Sequence, residues 1–281
     1  MLELEPQLRW GLYLCAFTAL AAWETLRPRK QLVASTPWRW CGNAALTVAT
    51  QFLFVWLIPL GAVITAAGAR EAGRGLLNHA FIPVPLQGLL AILALDLVRF
   101  GQHYLFHSVG PLWRIHRIHH SDVDMDLTTG VRHHPLEAVL AAATYLPVVW
   151  ILGAPPLAVV GYELFQLFHT FFSHANVAMP ARLDGAIRLL VVTPDMHRVH
   201  HSDRDAESRR NYGLTFAFWD RLFGTYQDQP QDGHLDMGVG LKGFQDARSM
   251  NVLRILGWPF HNSAMGRDKA DRQLVRQRGN G

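Results

Sequence analysis

Long apolar runs separated by short polar stretches set the pattern of the chain from residue 8 to residue 172. The first run covers 8–26. The second covers 43–67, with Pro59 placed to kink it. The third covers 85–107 and reads LQGLLAILALDLVRFGQHYLFH over nearly all of its length. Each is long enough to cross a bilayer as a helix, because about 20 residues span about 30 Å of hydrocarbon. Two shorter runs, 135–152 and 157–172, flank Gly153-Ala154-Pro155-Pro156. They predict a helical hairpin that either spans or dips part-way in. From Ala175 onward the pattern turns polar and predicts no further span, and the tail from 229 reads as loop-rich. No internal repeat is visible. The expected fold is all-α: an integral membrane helical bundle of about four transmembrane helices, the last two runs forming the short hairpin. An N-terminal transmembrane region, 1–84, precedes a functional unit at 85–228 and the tail at 229–281.

Composition agrees with this pattern. Of 281 residues, 50% are hydrophobic and 17% charged, against about a quarter charged in a typical soluble domain. The net charge of +4 matches the basic-loop excess of a membrane protein. The arginines are scattered and no nucleic-acid motif accompanies them, so nucleic acid is not an expected partner. Cys15 and Cys41 form no CxxC pair, which excludes a four-cysteine zinc site and a disulfide framework. The first run begins behind Glu3 and Glu5 and ends in Arg27-Pro28-Arg29-Lys30, the reverse of a signal peptide's charge order. Lysine and arginine in the first and third connecting loops put those loops in the cytoplasm and the N-terminus outside. The expected location is a bacterial inner membrane.

Histidine changes the picture most. There are 15, and most fall between His103 and His201. His103 and His107 form H-x3-H at the end of the third run. His116, His119 and His120 form H-x2-H-H, and His197, His200 and His201 repeat it. Residues three and four apart share a helix face, so each motif predicts a stripe of imidazoles. Eight such groups have little structural use but suit iron, zinc, copper or nickel. They would lie on the cytoplasmic side, as a histidine-rich metal-binding cap. His133, His134, His169 and His174 are further candidates, as ligands or as partners of ligands, and Glu137 follows His134. Lone His79, His234 and His261 carry no functional expectation. Asp96 lies inside the third run, seven residues before His103 and on the same face. An intramembrane carboxylate is expected to be functional. It would accept a ligand's second ring N–H or pair with Arg99. Glu163 draws a weaker form of the same expectation.

The order HxxxH, HxxHH, HxxHH resembles the fatty acid hydroxylase superfamily, in particular its bacterial sterol desaturase-like members. TPDMHRVHHSD, Asn211-Tyr212-Gly213 and WDRLFGTY carry the most specific likeness, and RIHHSD and RHHPLE add to it. The likeness covers roughly residues 96–226. It implies that 85–228 is a fatty acid hydroxylase/sterol desaturase-like catalytic domain. It implies two iron ions, dioxygen as cosubstrate, and hydroxylation or desaturation of a sterol, fatty acyl or related lipid. The implied ligands are His103, His107, His116, His119, His120, His197, His200 and His201, joined by His134 and His174. His133 stands where many members have an apolar residue. No fused electron-carrier domain is visible, which implies a separate ferredoxin- or cytochrome-like donor with a NAD(P)H reductase. Two other classes remain: a zinc-dependent membrane hydrolase, although HExxH is absent, and a metal transport or storage protein, which would favour ligands near mid-membrane.

Overall fold

The computed structural model describes residues 5–57, 61–78, 81–244 and 251–260. Pro59, His79 and His261 lie outside the described residues. Seven helices build the bundle and its approach: α1 (Glu5–Leu26), α2 (Thr36–Leu57), α3 (Ala62–Glu71), α4 (Val84–Ser108), α5 (Gly110–His116), α6 (Pro135–Leu152) and α7 (Pro156–His174). Two short helices, α8 (Ala181–Ile187) and α9 (Pro194–His200), follow on the polar side. Proline sits in the first turn of α4, α5, α6, α7 and α9. There it loses no hydrogen bond and pre-sets the helical φ. Gly153 ends α6 at φ 60°, a conformation that glycine adopts without the Cβ penalty.

The expected hairpin is present as α6 and α7, and α7 runs on to bring His174 into the helix. The second apolar run differs from expectation. It does not form one kinked span over 43–67 but divides into α2 and α3, with Pro59 between them. Gly61, in extended conformation at φ −64° and ψ 166°, precedes the first turn of α3 and interrupts the helical run. Among the described residues there is no strand, only isolated bridges such as Pro28–Val177.

α7 is the central element, packing against α1, α3, α4 and α9. Ala91, Leu95, Tyr145, Val149, Val159 and Tyr162 form the core between α4, α6 and α7. A second cluster joins Ala16 and Leu20 of α1 to Phe171 at the end of α7. Among the described residues, α4 and α6 are long and apolar enough to cross a membrane, and only 28% of each apolar window is buried. A soluble core helix would bury most of that surface. Here Leu89, Leu90, Leu97, Trp150, Ile151 and Phe165 face outward. An apolar belt of this kind belongs in lipid, and the chain is a membrane protein.

Candidate metal centre

One end of the bundle collects nearly all the histidines. His103 and His107 occupy the last turns of α4, and His116 closes α5. His119 and His120 start a tight 3-10 turn, His119–Ser121. His174 ends α7, while His197 and His200 lie on α9 with His201 as its C-cap. All are buried.

These side chains form two groups: His103, His107, His116, His120 and His200 in one, and His119, His174, His197 and His201 in the other. Within each group the donor atoms lie within 4.8 Å of one another. Two nitrogens bound to one ion at about 2.1 Å are at most about 4.2 Å apart, so small side-chain adjustments bring each set onto a metal. The expected single stripe per H-x2-H-H motif is not what forms. Adjacent residues leave the backbone in different directions, so His119 and His120 go to different groups, as do His200 and His201. Each motif thereby serves both groups.

Hydrogen bonds aim the rings. His103 Nδ1 donates to the Tyr212 carbonyl at 2.7 Å, and His200 Nδ1 to the Arg210 carbonyl at 2.7 Å. His116 Nδ1 lies 2.8 Å from Glu137 Oε1. The Nε2 atoms of His103, His116, His120 and His201 are buried without a hydrogen-bond partner. Orphaned buried nitrogens are costly, and a metal satisfies them. In the second group His174 Nδ1 donates to the Thr170 carbonyl at 2.8 Å. Its Nε2 is then a bare lone pair, 3.2 Å from His119 Nε2 and 3.0 Å from His197 Nε2. Burial, and then the neighbouring imidazoles, hold His119, His120, His197 and His201 well below the ordinary histidine value. They are neutral, the form that binds a metal.

Glu137 touches the first group directly and reaches the second through His133. Its Oε1 meets His116 Nδ1 and, at 3.0 Å, His133 Nδ1. The His133 ring stacks on His119 with centroids 4.5 Å apart. Burial alone would depress His133, but the Glu137 carboxylate outweighs it and raises the histidine above its ordinary value.

Three candidates stand apart from the two groups. His134 N-caps α6: its Nδ1 accepts from Leu136 N at 3.1 Å and its Nε2 donates to the Leu256 carbonyl at 3.2 Å. Both ring nitrogens are committed, so the structure does not bring it to the ligands. His169 Nδ1 donates to the Leu214 carbonyl at 2.9 Å, which pins the same loop that Tyr212 belongs to. Asp96 meets neither a histidine nor Arg99 in an ion pair. It accepts from Tyr162 Oη at 2.8 Å, Trp219 Nε1 at 2.8 Å and Phe216 N at 3.3 Å.

Sequence reasoning missed the groups that hold the histidine loops. Arg39 reaches from α2 to Asp122 at 2.8 Å and Asp126 at 2.6 Å. Arg132 binds the Ile118 carbonyl, Asn43 and Ser121. Asp220 accepts from Tyr212 N and Gly213 N, holding the carbonyl that His103 uses. A Cβ at Gly213 would come within 2.8 Å of Asp220 Oδ2. The Asn-Tyr-Gly tripeptide was the visible signal here, and Asp122 closes the RIHHSD stretch, whereas Asp124 and Asp126 carried no signal.

A cavity of about 370 Å³ opens beside His103, His116, His119 and His174, with walls from α2, α4, α6 and α7. It meets both histidine groups.

The stretch that carries these histidines is similar to known proteins. Residues 88–225 match the fatty acid hydroxylase family. An ornithine lipid hydroxylase of Rhizobium tropici is 27% identical over 232 residues, 81% of this chain and 69% of that protein. Human alkylglycerol monooxygenase is 31% identical over 137 residues, 49% of this chain but 30% of that protein's length. A rice very-long-chain aldehyde decarbonylase is 25% identical over 131 residues, 44% of this chain and 20% of its own. No solved structure matches the chain.

Proposed function

Because the chain belongs to the fatty acid hydroxylase family, and is an oxygen-dependent, lipid-modifying oxidoreductase, we propose that its two histidine groups hold two iron ions and that it hydroxylates a membrane lipid. The observation that carries this reading is the division of nine buried histidines into two sets of converging donors. Bound iron supplies what no side chain can, the activation of dioxygen against an unactivated C–H bond, with electrons from a separate donor protein.

The chain's own residues do the rest. The Tyr212 and Arg210 carbonyls and Glu137 fix the tautomers of His103, His200 and His116, so that Nε2 presents its lone pair. Leu127, Ile118 and Met196, all fully buried near the histidines, help to keep water away. The cavity wall orients a lipid that enters sideways between helices. The unit that does this is residues 85–228, with the metal end on the cytoplasmic side of a bacterial inner membrane. Its position at one end of the bundle favours an enzyme over a transport path, where ligands gather near mid-membrane.

Purification with iron supplied, metal analysis and Mössbauer spectroscopy test the reading together. About two coupled irons per chain are expected, and His119→Ala is expected to abolish lipid oxidation. Zinc alone, with no iron site on anaerobic reconstitution, would replace this reading by a hydrolase.

A further inference from the structure

The charge carried by the cavity wall speaks to the kind of lipid that enters. Arg99 lies on α4, four residues before His103 and on the same face. It lines the cavity beside both histidine groups. An arginine within a membrane-crossing helix is costly, and faces a partner or a site. In this structure its guanidinium sits 4.2 Å over the Tyr145 ring, and its Nε is buried without a hydrogen-bond partner. The aromatic face steadies the cation but accepts no directional N–H bond of the kind a carboxylate or phosphate does. Gln102, Gln166 and Thr170 stand on the same wall, so polar groups interrupt a lining that is otherwise mostly apolar, with Phe106, Leu167 and Leu214 among it. A bare hydrocarbon or sterol ring offers nothing to these groups.

We propose that Arg99 is the anchor for an anionic group, carboxylate or phosphate, on the lipid that this cavity admits. Four residues of helix rise place Arg99 and His103 about 6 Å apart along the axis. Resting on the lipid-oxygenase reading, the carbon presented to the histidines is therefore one close to the anionic group and not one in the distant apolar tail. Glu163 brings the opposite charge to the same cavity, which makes cation preference the competing outcome.

The test is binding, not turnover. Full-length protein in a neutral detergent, iron-free and iron-loaded, is titrated with dodecanoate, dodecyl phosphate, dodecanol and dodecylammonium, and dissociation constants are read by calorimetry. At least one anion is expected to bind about tenfold or more tightly than dodecanol, as charge-assisted hydrogen bonds outweigh neutral ones. The better of the two identifies carboxylate or phosphate. Arg99→Gln is expected to erase the difference and Arg99→Lys to keep part of it, with iron content unchanged in both. Equal binding of dodecanol and both anions, tightest binding of dodecylammonium, or an Arg99→Gln protein that still prefers the anion would overturn the proposal. If Arg99→Gln does not fold, the four wild-type constants decide. The readout needs no iron, so its failure leaves the oxygenase reading standing, and failure of iron loading leaves this result intact.

Discussion

At the scale of single residues, the centre depends on groups that never touch a metal. Glu137 Oε1 receives both His116 Nδ1 and His133 Nδ1. Carboxylates behind metal-bound histidines typically contribute 10- to 100-fold in affinity or activity. Glu137→Gln keeps the size and one acceptor but loses the charge. It is expected to lower iron retention by about tenfold or more while leaving the helical circular dichroism unchanged. Retention equal to wild type in a competition with a graded chelator would show that Glu137 does not tune the ligands. Gly130 makes a steric counterpart. A Cβ there would lie 2.8 Å from the Thr170 carbonyl and 3.0 Å from His174 Nδ1, the same pair that forms the His174 hydrogen bond. Gly130→Ala must push α7 or the 127–131 turn aside, which costs about 1–3 kcal/mol. If the proposed second ion sits among His174, His119, His197 and His201, the expected signature is selective loss of that ion. Loss of both irons together, or of neither, would contradict that assignment.

At the scale of elements, loops that carry histidines are tied to helices by buried charge. Arg39 on α2 clamps Asp122 and Asp126 on either side of the loop that follows His119 and His120. Asp122 is held down to about 2, burial opposing and Arg39 prevailing. Arg39→Ala leaves two buried carboxylates without their cation, which costs about 3–5 kcal/mol. The melting temperature is expected to fall by on the order of 10 °C. Adding Asp122→Asn to Arg39→Ala is expected to recover part of it, and strict additivity of the two changes would argue against the clamp. Asp96 ties α4 and α7 to the 212–219 loop in the same manner, through Tyr162 and Trp219. Such ties explain what the sequence does and does not disclose. The hairpin arms were legible because a long apolar run has few alternatives to a membrane helix. The eight core histidines were legible because H-x3-H and H-x2-H-H are rare without a metal. Their distribution between two groups was not, since it depends on how α5, the 119–121 turn and α9 approach one another. The Arg39 clamp was hidden because its partners are more than 80 residues apart.

At the scale of the whole molecule, the helices agree on which end is which. α4 and α7 finish at the histidines, while α6 begins there, capped by His134 and with Glu137 in its first turn. α1 ends there too, where Glu24 Oε1 accepts from Leu127 N at 2.8 Å, and α2 starts there with Arg39. Iron loading of the proposed centre would therefore act on the end where all five long helices converge. A ligand that binds only the folded state adds about 2.7 kcal/mol at a hundredfold its dissociation constant. Chelation is thus expected to lower the melting temperature by several degrees, and iron to restore it. The same convergence sets the relative directions of the helices: α1, α4 and α7 run toward the metal end and α2 and α6 away from it. Basic residues flank that end, at Arg27, Arg29, Lys30, Arg114 and Arg117, and positive charge is retained in the cytoplasm. Glu71, at the close of α3, is exposed on the connection between α2 and α4, at the far end. Arg209 is exposed on the metal side, with 43% of its side chain accessible. With Cys15 and Cys41 replaced by serine, Glu71→Cys is expected to react with a membrane-impermeant maleimide in intact cells. Arg209→Cys is expected to react only after lysis. The reverse pattern would place the metal end outside, beyond the reach of a cytoplasmic electron donor, and would require the electrons to come from the other side of the membrane.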